Sequence, residues 1–253
     1  MTTSPTPAAD DAGRARAAAE VLAAADRARR TARADRQGLA IPLLVTGVLV
    51  LGYGVLVLAH ERWIAGLLAA SPTGSIALTP DPWSVVLDGY WSLGGALALA
   101  VTGAWLGLRA RRVGVGETGA AWATGVLALV LFGYALAGFF LPIPLAVVTM
   151  LSPAAPYCLA LLVVAAKRHD RALAVWALVV GLLVTLDRLG WLANRVYDVY
   201  RLVGVPAEQI TWWVAPGFFD VVTGVVVVLV AALRMRADRR EAARQHAVGP
   251  VVA

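Results

Sequence analysis

Charge is scarce in this chain where burying it would cost most. Four long stretches, Gly38–Ala59, Tyr90–Leu108, Thr118–Ala166 and Ala172–Leu186, carry no charged side chain, and a fifth around Val214–Leu233 carries only Asp220. Only 15% of residues are charged, 60% are hydrophobic and the mean hydropathy is +0.73, which excludes an ordinary soluble domain. The single cysteine, Cys158, excludes an internal disulfide and lies inside an apolar run, where a buried, inert thiol is expected. The three histidines, His60, His169 and His246, all lie outside the apolar stretches, so a haem held in the core by axial histidines is not expected. His60 stands beside Glu61 and Arg62, but zinc takes three or four ligands and no second one is near, so no metal is expected. The chain has no GxSxG elbow, no GxxxxGK[ST] and no HExxH. No catalytic constellation, and with it no enzyme and no cofactor, is expected.

What the chain does have is apolar length. A helix rises about 1.5 Å per residue and a bilayer's hydrocarbon core is about 30 Å thick, so one crossing needs about 20 apolar residues. The run from Thr118 to Ala166 is too long for one crossing and is expected to hold two. The fold class predicted is all-α: a polytopic membrane protein of six transmembrane helices. It divides into an N-terminal tail (1–37), a six-span domain (38–234) and a basic C-terminal tail (235–253).

The arginines orient it. Of 22 basic residues, 18 fall in the N-tail, Arg109–Glu117, Lys167–Arg171 and the tail after Leu233, where they meet nine acids. The opposite loops hold Arg62, Arg188, Arg195 and Arg201 against seven acids. Basic enrichment in short flanking segments marks the cytoplasmic side, so both termini are expected inside. This placement accounts for the formal net charge of +6 without nucleic acid as a partner. Ala, Val and Arg dominate, as in a high-GC bacterial genome, which makes the bacterial inner (plasma) membrane the expected location. The first 37 residues are polar and arginine-rich, without the pattern of a cleavable signal peptide.

Within the N-tail, Asp11–Arg36 reads as a cationic, alanine-rich helix that either rests on anionic headgroups or docks on a protein partner, or is simply solvated. After span one, Trp63, Ile64, Leu67 and Leu68 predict a short separate helix at the outer interface. An irregular return through Pro80-Asp81-Pro82-Trp83 is expected to follow. In span two, Ala96, Ala100 and Ala104, with Gly95 and Gly103 alongside, have the small-residue spacing that lets helices approach closely. Leu141-Pro-Ile-Pro144 marks the turn before span four, and Pro153 and Pro156 predict a kink within that span. Between spans five and six, Leu189, Leu192, Val196, Val199 and Val203 form an apolar stripe, with Asn194, Arg195, Asp198 and Arg201 elsewhere on the wheel. An amphipathic helix on the outer surface is predicted, anchored by Trp191, Tyr197 and Tyr200. Six of nine tryptophans, at 63, 83, 91, 191, 212 and 213, fall near the outer boundary, as an aromatic belt would place them.

The one ionisable residue inside a late span, Asp220, is the leading site candidate, with Asp187 and Arg188 ending span five at similar depth. A carboxylate in lipid is costly unless paired. The structural expectation is an Asp220–Arg188 ion pair clamping spans five and six; the functional one is a proton or cation relay at the outer vestibule.

Two layouts invite comparison. Six spans with an N-terminal helix and an outer helix between spans five and six resemble the membrane subunit of exporter-type ABC transporters. Those subunits, however, use a long cytoplasmic segment where only Arg109–Glu117 stands here. The stretch from Tyr90-Trp91 to Arg109-Ala-Arg-Arg-Val-Gly-Val115, preceded by the Ala/Arg-rich helix, is similar to that of uncharacterised multi-pass membrane proteins common in high-GC bacteria. That resemblance implies no activity. The function expected first is therefore a non-enzymatic accessory or regulatory membrane component, with a membrane-spanning transporter subunit as the alternative.

Overall fold

A computed structural model describes residues 13, 16–25, 40–71, 82–113, 118–137, 152–205 and 216–247. Every element among them is helical and none is a strand. We number the helices α1 (Ala40–Ala70), α2 (Pro82–Gly89), α3 (Gly95–Val113), α4 (Thr118–Ala137), α5 (Ala155–Lys167), α6 (Arg171–Arg188), α7 (Trp191–Leu202) and α8 (Phe218–Ala247). Residues 16–25 are also helical, with every described side chain exposed. Three helical stretches are long and apolar enough to cross a membrane: Ala40–Ala70, Val85–Arg111 and Phe218–Arg240. The run from Thr118 to Ala166 does hold two helices, α4 and α5, but α5 has only 13 residues. The turn expected at Leu141–Pro144 lies outside the described residues, as do Trp212 and Trp213.

The core is organised by α1 and α8, which lie antiparallel along their apolar lengths. Glycines set the register. A β-carbon at Gly47 would fall 2.9 Å from the Val228 nitrogen, one at Gly54 2.6 Å from the Val221 nitrogen, and one at Gly224 2.5 Å from the Leu51 nitrogen. Only hydrogen fits there, so the two backbones touch. The same logic joins α3 to α4, where Gly103 faces Thr124 and Gly107 faces Ala121. Gly95 and Gly103 thus lie on a helix contact as expected. Ala100 and Ala104 do not: both are exposed, and the buried face of α3 runs through Leu99, Thr102 and Leu106 instead.

Between α2 and α3 the chain widens into one π-helical turn, Tyr90–Gly94. Tyr90 packs across Gly52 and donates its hydroxyl to the Leu49 carbonyl at 2.9 Å, while Trp91 turns into the core. Tyr53, Trp91 and Tyr157 form a ring cluster with centroids 5.3 and 6.1 Å apart. Trp91 is therefore a core residue at 2% exposure and no member of a boundary belt. The Thr46 hydroxyl donates to the Pro42 carbonyl at 2.7 Å, which leaves the Tyr157 hydroxyl to donate to Thr46 at 2.8 Å.

These contacts fix directions. Gly52 meets Tyr90 and Gly94 meets Leu49, so α3 runs opposite to α1. Gly181 meets Cys158, and the hydroxyls of Ser152 and Thr185 bond at 2.6 Å, so α6 runs opposite to α5. The end of α6 reaches the start of α8, where Asp187 meets Gly217. The start of α1, Arg109 and Arg111 on α3, Lys167 at the end of α5, Arg171 on α6, and Arg234 and Arg236 on α8 consequently gather at one end of the bundle.

Three sequence expectations change. First, α1 continues unbroken to Ala70, so Trp63–Leu68 is its last part and no separate helix. Nothing between Ala59 and Ala70 stops a helix, since His60-Glu-Arg62 tolerate it and Gly66 is a lone glycine. Second, Pro82 opens α2, because proline suits a first helical turn whose N–H groups have no intrahelical partner, so Pro82-Trp83 belongs to a helix and no irregular return. Third, Pro153 lies in a turn before α5 and Pro156 in its first turn, so this pair begins a helix. The kink expected within a continuous span is not what the described residues show. The Ala155 N–H closes the turn onto the Ser152 carbonyl at 2.9 Å.

Candidate functional site

Helix α6 buries one face along Leu173, Ala177, Val180, Val184 and Asp187. The steps of four, three, four and three residues keep all five on one stripe of a 3.6-residue helix. Asp187 is thus the last residue of an apolar stripe and is 5% exposed. Helix α8 has a matching stripe through Asp220, Gly224, Val227 and Ala231, and Asp220 is 3% exposed. Each helix therefore directs a carboxyl into the place where the two meet.

Gly217 builds that place. It adopts φ 85°, in the left-handed region, and a β-carbon on it would fall 2.8 Å from both the Gly54 carbonyl oxygen and the Val57 β-carbon of α1. Conformation and space both demand glycine. Its N–H donates to Asp187 Oδ2 at 3.1 Å, and its carbonyl accepts from the Val221 N–H at 3.0 Å to begin α8. Asp187 thus supplies, from another helix, the acceptor that the free N–H groups at the start of α8 lack, and its charge sits at the positive end of that helix. The side chains of Asp187 and Asp220 lie within hydrogen-bonding reach of each other. Asp220 Oδ1 is buried and has no hydrogen-bond partner among the described residues.

Arg188 does not join them. It is exposed, and among the described residues no ion pair links it to Asp220. The reason is helical geometry: adjacent residues point about 100° apart, so when Asp187 takes the inward stripe Arg188 must turn outward. The expected Asp220–Arg188 clamp is therefore replaced by a carboxyl–carboxyl contact.

Beyond Arg188 the chain turns sharply. Gly190 has φ 68°, and the axis of α7 departs from that of α6 by 69°. Leu192, Val196 and Val199 of the expected apolar stripe line, with Arg195, Tyr200, Phe218 and Phe219, a cavity of about 480 Å³ between α7 and the start of α8. Leu189 and Val203, the ends of that stripe, are exposed. Arg195 lies over the Trp191 ring at 5.4 Å and pairs with Asp198 at 3.1 Å.

His60 packs its ring beside Trp63 and Trp83, at 6.1 and 6.2 Å between centroids. Among the described residues no group of three or more His, Cys, Asp or Glu is placed to hold a metal ion. Cys158 is buried and unbridged, against Gly181. The buried indole N–H of Trp91, without a partner among the described residues, is a polar feature that sequence reasoning missed. Trp91 stands at the very start of the Tyr90–Leu108 run, so nothing in its position signalled burial.

The described residues define an all-helical protein with three helices of membrane-crossing length and a buried pair of acids where three helices meet. No family model, curated protein or solved structure matches the chain.

Proposed function

We propose that this protein is a non-enzymatic accessory or regulatory component of a bacterial plasma membrane. It crosses the bilayer six times with both termini in the cytoplasm, α7 lies on the outer surface, and the protein acts through its basic tails. One observation carries the reading: the antiparallel α1–α8 seam brings the start of α1 and the arginine-bearing end of α8 to the same end of the bundle. Both tails then leave side by side from the arginine-rich end, where anionic headgroups or a protein partner can engage them together. The transporter-subunit reading gains nothing from the fold, since only residues 114–117 separate α3 from α4.

The test starts from a chain with Cys158→Ala, which removes the only native thiol. Cysteines introduced as Ala24→Cys and Asp238→Cys should be shielded from a membrane-impermeant maleimide in intact cells and labelled after permeabilisation. Leu202→Cys should be labelled in both. Labelling of either tail in intact cells would overturn the topology. A proton or sodium flux carried by the purified protein alone in liposomes would replace the accessory reading with transport.

A further inference from the structure

The buried acids need something that the described side chains do not supply. Asp187 is provided for: it accepts the Gly217 N–H and sits at the start of α8. Asp220 has no such support. It is 3% exposed, one of its oxygens has no partner among the described residues, and its other neighbour is a second carboxyl. The charged or titratable groups around it among the described residues are few. From α6 come Asp187, in contact, and Arg188, which is exposed and acts only at a distance. From α1 the residues packed at this level are Gly54 and Val57, neither of which ionises. Two negative charges held together away from water, without a counter-charge, cost far more than a folded protein's net stability can absorb.

We infer that Asp187 and Asp220 form a binding site for one small monovalent cation, a proton or a sodium ion, held between the two carboxyls at the junction of α1, α6 and α8. A single positive charge suffices, because the Gly217 N–H and the start of α8 accommodate the remaining negative charge. The unpartnered Asp220 oxygen is the acceptor left for the ion. When the ion leaves, like-charge repulsion acts between the end of α6 and the first turn of α8, and the joint loosens there. The site therefore couples packing at one end of the bundle to proton or sodium activity on the side it faces.

Thermal unfolding of the purified full chain in detergent tests this, between about pH 6 and about pH 9, in choline chloride and in sodium chloride. Bound-ion stability is lost as the ion is removed, so the wild-type Tm should fall by about 4 °C or more as pH rises in choline. If the ion is a proton alone, sodium will not restore it, and infrared spectra will show a carboxylic-acid C=O band that Asp220→Asn removes. If sodium binds, sodium chloride will restore the Tm at high pH where choline does not. Asp220→Asn should remove the dependence in either case. Asp187→Asn, which keeps an acceptor for Gly217, serves if the first variant does not fold. A wild-type Tm indifferent to both pH and sodium would overturn the proposal, as would the same dependence persisting in these variants.

Discussion

Helix α8 makes two contacts of opposite character. Along its length it meets α1 through a dry seam in which glycines let backbones touch; at its first turn it meets α6 through two carboxyls. The seam relies on shape and admits no added atom. The carboxyl contact relies on charge balance, and its strength changes with conditions. One helix is thus fixed on one side and adjustable on the other, with Gly217 touching both partners.

The seam is where substitution should do most damage. In Gly224→Ala the new methyl would fall 2.5 and 2.6 Å from backbone atoms of Leu51, which no rotamer change can relieve. A helix-interior alanine favours the helix by up to about 1 kcal/mol, but overpacking typically costs about 1–3 kcal/mol and here falls on backbone. A net loss near the upper part of that range is expected in thermal or denaturant unfolding. Unchanged stability would mean that α1 and α8 can move apart freely. Tyr157→Phe should come next. It removes a satisfied bond to Thr46 between α5 and α1 while Thr46 keeps its bond to Pro42, so a loss of about 1 kcal/mol is expected. Comparing that loss with the response of Asp220→Asn separates a neutral, satisfied polar contact from one that needs an ion: only the second should change with pH. Arg195→Gln should matter least. Its pair with Asp198 has side chains 62% and 60% exposed, where such pairs contribute about 0–1 kcal/mol, and a double-mutant cycle should read near zero.

How far the sequence disclosed these contacts depends on what each requires. Helices over the apolar runs were legible because a chain keeps charge out of so long a stretch chiefly where lipid would surround it. The seam was hidden because small residues four apart are the usual sign of close helix approach, whereas Gly47 and Gly54 stand seven apart. Seven residues is two helical turns, so such glycines share a face as surely as those four apart. The acids were legible, but their pairing was not. Asp187 extends the stripe through Val180 and Val184, a pattern visible in the sequence, and once it faces inward its neighbour Arg188 cannot. Helix ends were the least legible part. Pro82 and Pro156 suggest breaks but lie in the first turns of helices, and Pro153 lies in the turn just before one, since a proline at a helix start and one in its interior look alike until the preceding turn is known.

The seam also has a history within each molecule's synthesis. Its two halves lie near opposite ends of the chain, so α1 is made long before its partner exists. At about 5–20 residues per second, the glycine face of α1 waits for several seconds or more before α8 emerges to cover it. Until then the two-ended clasp is open, and a chain stopped short of Phe218 never acquires it. Exposure of the α1 glycine face therefore depends on whether α8 has yet been made: a cell's proteases would find that face covered once α8 is in place and bare before then.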